Sequence, residues 1–185
     1  LYFAHGLTAR TTTALLGTIV GLFVTAGIAV WATDSASLLG LGEDSTYTLN
    51  QVAPNVSLSG IVLCGLFIAG LGVLNDVTIT QASAVWELAD AKPDASAREL
   101  FRSAMRIGRD HIASTVYTIV FAYAGGAIAT LLLMSMYDYS MLKFLTTGEL
   151  AEEVVRTLVA SIGLVIAIPV TTLIGVIVVK ASMQG

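Results

Sequence analysis

Asn75 and Asp76 place an amide and a carboxylate inside a stretch that is otherwise glycine and aliphatic, Gly70-Leu-Gly-Val-Leu-Asn-Asp-Val77. A carboxylate in lipid is expensive, roughly 2.5–3.5 kcal/mol at mid-membrane on insertion scales, so an intramembrane acid is by default a functional-site candidate. Apolar surroundings favour the neutral form of a carboxyl group. Such a group can take a proton from one side and release it to the other when access changes. Thr80, Ser83 and Glu87 continue from Asp76 at i+4, i+7 and i+11, which makes one polar stripe on a helix. Further along, His111, Thr115 and Thr118 have i, i+4, i+7 spacing, with Ser114 among them. Hydroxyls and an imidazole can carry a proton or hold water. A hairpin joining the two helices would put both stripes in one leaflet, where they could face each other. The plainer alternatives are an Asp76 that snorkels to the interface and bonds the next helix, and a His111 that is an ordinary interfacial histidine.

Other chemistry has little footing. His5 and His111 are far apart, no HxxxH or HxxE spacing occurs, and Cys64 is the single cysteine. A zinc or copper site and an internal disulfide are therefore not expected. No Walker A motif, no GxSxG and no dinucleotide-binding glycine pattern is present. A membrane enzyme would need a second convergent group in the same leaflet, and only His111 is a candidate. The chain is read as a non-enzyme without a cofactor.

These side chains must be positioned by membrane helices. Of 185 residues, 56% are hydrophobic and only 12% are charged, about half the usual ~25%. The mean hydropathy is +0.84. A net charge of −4 leaves no basic surface for nucleic acid. A spanning helix needs about 20 mostly apolar residues, and four stretches qualify: 13–33, 58–77 (running on to 87), 112–136 and 155–179. They are too long and too unbroken for barrel strands.

Lys and Arg near span ends set orientation. Arg10, Lys92, Arg98, Arg102, Arg106, Arg109 and Lys180 fall on one side, and Lys143 and Arg156 on the other. This places both termini and residues 88–111 in the cytoplasm. Pro93 ends one helix, and Ser96 with Glu99 has capping-box spacing for the next. A separate amphipathic cytoplasmic helix is expected at about 96–110, with its arginines lying at anionic headgroups or binding an acidic partner. A short interfacial helix is expected at 35–41, and an amphipathic, interfacial helix at 148–156 that enters the fourth span. Asn55-Val56-Ser57 matches a glycosylation acceptor by chance. Leu1–Gly6 reads as the tail of a preceding element.

Small residues suggest close helix packing. Gly17 and Gly21 form a GxxxG pair, Gly70 and Gly72 thin the second span, and Gly125 and Gly126 thin the third. Cys64 is expected as a small packing residue. Pro169 interrupts the fourth span, where Thr171 and Thr172 could re-satisfy the freed carbonyl.

At these residues the chain resembles the YibE/F family of bacterial membrane proteins. The likeness rests on 70–88, on Arg106-Ile-Gly-Arg-Asp-His-Ile-Ala-Ser-Thr-Val-Tyr-Thr-Ile119, on His5-Gly6 with Thr11–Thr18, and on 152–163 with Pro169. The resemblance implies that this is the C-terminal portion of a longer protein, preceded by an anchor, an extracytoplasmic domain and further spans. A more distant likeness is to the export-motor subunit SecF and its RND-type relatives. It implies a proton-relay acid at Asp76, its neighbour at Asn75 and the hydroxyl run at Ser114, Thr115 and Thr118. The chain departs from that pattern in lacking a second acid at position 75 and an intramembrane Lys or Arg partner.

The expected architecture is an all-α integral membrane helical bundle, with residues 1–185 as one transmembrane domain. The expected function is transporter-like, with proton coupling through Asp76. The alternative is a structural or accessory subunit of a larger complex. The expected setting is the bacterial inner membrane. Expected partners are lipid, missing spans of the same protein or other membrane subunits, with a homo-oligomer as one form.

Overall fold

The structure, a computed structural model, describes residues 1–35, 44–136, 142 and 148–183. Its helices are α1 (Tyr2–His5), α2 (Ala9–Ser35), α3 (Asp44–Val52), α4 (Leu58–Ala91), α5 (Ala97–Gly126), α6 (Ile128–Ser135) and α7 (Gly148–Ser182). Gly6, at φ 75°, turns the chain between α1 and α2. Three helices, α2, α4 and α7, are long and apolar enough to cross a membrane; α5 with α6 makes a fourth span if a bend of 61° is allowed. α7 is the central element, packed against α2, α4 and α5.

Local chemistry explains where the helices begin and end. Ser57 caps α4 by accepting from the Gly60 N–H at 3.2 Å. Ser96 caps α5 by accepting from the Glu99 N–H at 3.2 Å. Only this half of the expected capping box forms, because the Glu99 carboxylate pairs with Lys92 at 3.2 Å instead. Gly125 and Gly126 precede the break at Ala127, where helix propensity is lowest and a kink is cheapest.

Several expected boundaries are corrected. The cytoplasmic helix and the third span are one continuous helix, α5. No proline or glycine pair interrupts 97–124, and the arginines that end the apolar run are good helix formers. The third span does not run straight to residue 136, since it breaks at Ala127. The segment 148–156 enters the fourth span as expected, and does so as the first part of the unbroken α7. The helix expected at 35–41 lies outside the described residues, apart from Ser35, which ends α2; a helix not expected, α3, follows at Asp44–Val52.

The core is layered along the bundle. At one end Ala29, Val62, Leu66 and Val159 pack together. In the middle are Val77, Ile119, Ala160, Leu164 and Ile168. At the other end Val85, Ala89, Leu100, Ala104, Val176 and Val179 join α4, α5 and α7. This last end carries the basic groups, with Arg10 facing Glu87 at 4.0 Å and Lys180 donating to the Pro93 carbonyl at 3.2 Å. At 1.5 Å per residue the 34-residue α4 is about 51 Å long. A hydrocarbon core is only about 30 Å thick, so α4 projects beyond it.

Pro169 lies within α7 without ending it. The two threonines after it do not re-satisfy the carbonyl it frees, that of Val165. Thr171 donates to Ala167 O at 2.8 Å and Thr172 to Ile168 O at 2.7 Å.

Candidate functional site

The two polar stripes are best located through Gln81, a residue the sequence reading passed over. Gln81 is 2% exposed. Its amide donates to the Ala104 carbonyl of α5 at 3.1 Å and to the Thr172 hydroxyl of α7 at 2.7 Å. Gly108 makes room for it: a Cβ there would lie 3.0 Å from Gln81 Oε1 and 2.7 Å from Ile168 Cγ2. Gln81 is thus level with 104–108 of antiparallel α5. Asp76 is five residues from Gln81, about 7.5 Å along the helix. The same step on α5 reaches His111, so Asp76 and His111 share a depth.

They do not share a contact face. The α4–α5 seam is filled by Val73 and Val77 against Ile112, Val116 and Ile119, with Gln81 below. Asp76 is rotated about 100° from Val77 and is exposed, as are Thr80 and Glu87; Asn75 and Ser83 are half-buried. The expectation that the stripes face each other is therefore corrected. Apolar packing takes the shared face and leaves the polar stripe of α4 looking outward. Among the described residues the Asp76 carboxylate has no hydrogen bond or ion pair. Thr80 donates to the backbone carbonyl of Asp76 at 2.9 Å, not to its side chain.

On α5, His111 and Thr115 are half-buried, and Ser114 and Thr118 are exposed. Thr118 donates to the Ser114 carbonyl at 3.0 Å. His111 Nε2 is buried and has no partner among the described residues. Among those residues, no group of three or more His, Cys, Asp or Glu is placed to hold a metal ion.

The glycines divide into two sets. A methyl group at Gly17 would collide with Thr171; at Gly21 it would lie 3.0 Å from Ala167 and from Leu74, and at Gly70 3.3 Å from Thr25. At Gly72, Gly125 and Gly126 it would meet nothing within 4 Å. The sequence reading also missed Gly163, which admits Thr25, and the buried Thr18–Thr78 hydroxyl pair at 2.6 Å joining α2 to α4. Cys64 is exposed on the outer side of α4, not packed inside.

A second polar cluster lies toward the opposite end, where Arg156 pairs with Glu153 at 3.6 Å and stands 6.0 Å over the Tyr123 ring.

Residues 1–181 match the family described as YibE/F-like protein. The chain belongs to the YibE/F family. Comparison with curated proteins and with solved structures found no match. Family membership and the long apolar helices together make this a multi-pass membrane protein.

Proposed function

We propose that this YibE/F protein is a transporter-like membrane protein rather than an enzyme, and that Asp76 is its proton-carrying group. One observation carries the reading: a carboxylate without a partner stands on a glycine-rich apolar helix, level with an imidazole nitrogen that also lacks one. Asp76 is about 27 Å along α4 from Leu58, near the inner margin of a hydrocarbon core that begins at the Ser57 cap. A proton reaching it need cross only a short distance from the aqueous phase at the basic end. The spacing likeness to SecF and RND-type spans supports the same assignment. Because Asp76 looks outward, its path to the other side runs along the outer face of α4. Further spans of the protein or a second copy would line that path. The proposed setting is the bacterial inner membrane, with the basic end in the cytoplasm.

Apolar carbodiimides react with protonated carboxyl groups in apolar surroundings. In native membranes, mass spectrometry should find the adduct on Asp76 and not on Glu87. Labelling of Glu87 with none on Asp76 overturns the reading.

The dense interior favours the second reading, a structural or accessory subunit. Gly17 leaves space for Thr171, Gly163 for Thr25, and Gly21 for both Ala167 and Leu74. That reading expects substitution at these glycines to impair the cell as deletion does, while Asp76→Asn is silent.

A further inference from the structure

The arginines of α5 remain unexplained by the packing. Arg98, Arg102, Arg106 and Arg109 are all exposed, and among the described residues none has an ion pair or hydrogen bond. Three of them, Arg98, Arg102 and Arg109, line one cavity of about 790 Å³. Phe101 and Met105 form its apolar wall, and Pro169 of α7 closes one side. The acid that also lines it, Glu99, is taken by Lys92 at 3.2 Å. The cavity therefore presents three uncompensated guanidiniums beside an apolar surface.

Its surroundings point to a lipid. Ile162, Val165, Pro169 and Leu173 follow one another at i, i+3, i+7 and i+11, so they form one ridge of α7. Ile162, Val165 and Leu173 are 42%, 45% and 53% exposed. From Pro169 at the cavity, Val165 and Ile162 run toward the middle of the bundle, the direction acyl chains take from a headgroup at the basic end, while Leu173 lies on the basic side of Pro169. We propose that this cavity binds the phosphate headgroup of an anionic phospholipid, with Arg98, Arg102 and Arg109 on the phosphate and the chains along the α7 ridge. Guanidinium forks match phosphate oxygens in pairs, and basic pockets between membrane helices suit anionic headgroups. An acidic protein approaching from water would meet the arginines but would leave the ridge uncovered.

Native mass spectrometry of the full-length protein in neutral detergent, titrated with phosphatidylglycerol or phosphatidylcholine, tests this. Phosphatidylglycerol should be retained in preference to phosphatidylcholine. Arg98→Gln, Arg102→Gln and Arg109→Gln should each weaken it about fivefold. Arg106→Gln removes the same charge from the same helix without touching the cavity, and should leave retention unchanged. Equal retention of both lipids by the unmodified protein overturns the proposal without recourse to any variant. So does an equal effect of Arg106→Gln, which would mean diffuse surface charge. Displacement of the lipid by inorganic phosphate alone would make this a free-phosphate site, and displacement by a polyglutamate peptide an acidic-protein site; either result also overturns it.

Discussion

The Thr18–Thr78 pair sets a quantitative test of how α2 is fastened to α4. The two hydroxyls have two protons but three contacts: Thr18 with Ala14 O at 3.0 Å, Thr78 with Asn75 O at 3.3 Å, and each other at 2.6 Å. The 2.6 Å contact must contain a proton. With Thr18 donating to Ala14 O, Thr78 donates to Thr18 and gives up its longer contact to Asn75 O. Thr18→Val then removes the acceptor, and the Thr78 proton turns back to Asn75 O. Thr78→Val removes the donor, and Thr18 keeps its bond to Ala14 O. Neither single change strands a buried donor, so neither incurs the ~1–3 kcal/mol of an unsatisfied group. Each should cost under about 1 kcal/mol. The coupling in the double-mutant cycle should be near the ~0.6 kcal/mol average for hydrogen bonds between membrane helices, and below the ~1.7 kcal/mol maximum. Reversible unfolding in mixed detergent micelles measures all four proteins. Zero coupling would show that the hydroxyls do not bond. A single-variant loss of 3 kcal/mol would show that the fallback bonds do not form.

Three further variants test the helix packing and the α5 cap. Gly17→Val should destabilise the bundle by about 1–3 kcal/mol or more through collision with Thr171, whereas Gly125→Ala, facing open space, should be neutral or stabilising by up to ~1 kcal/mol; thermal unfolding of both in detergent compares them. Ser96→Ala should cost ~1 kcal/mol by uncapping α5, read as faster amide exchange over 97–100 with little change in the middle of α4.

What was legible in the sequence was what hydropathy, caps and charge encode locally. Ser96 and Pro93 mark the α4–α5 turn because capping and proline chemistry act within a few residues. The basic residues gather at one end because Arg10, Lys92 and Lys180 lie at or next to helix ends there and Arg98–Arg109 lie along the first part of α5. The unity of α5 was hidden because Arg98–Arg109 end the apolar count without weakening the helix. Spacing placed Asp76, Thr80 and Glu87 on one stripe, but periodicity is silent on which neighbour a stripe meets. Val73 and Val77, one step around the helix, took the contact with α5. Gln81 was hidden for the same reason: a glutamine after Thr-Ile-Thr reads as part of a polar run. Its distant partners Ala104, Gly108 and Thr172 show that it is buried. Pro169 offered a rule for Thr171 and Thr172 that the actual carbonyl partners, Ala167 and Ile168, do not follow.

In the proposed mechanism Asp76 carries protons across the membrane by way of the outer face of α4. Proton flux into liposomes containing the full-length protein under an imposed pH difference, compared with Asp76→Asn and Asp76→Glu, tests it most directly. Flux is expected in the unmodified protein, with a loss of at least about tenfold, roughly 1.4 kcal/mol in barrier, in Asp76→Asn and recovery in Asp76→Glu. Equal flux through the unmodified protein and Asp76→Asn would contradict it.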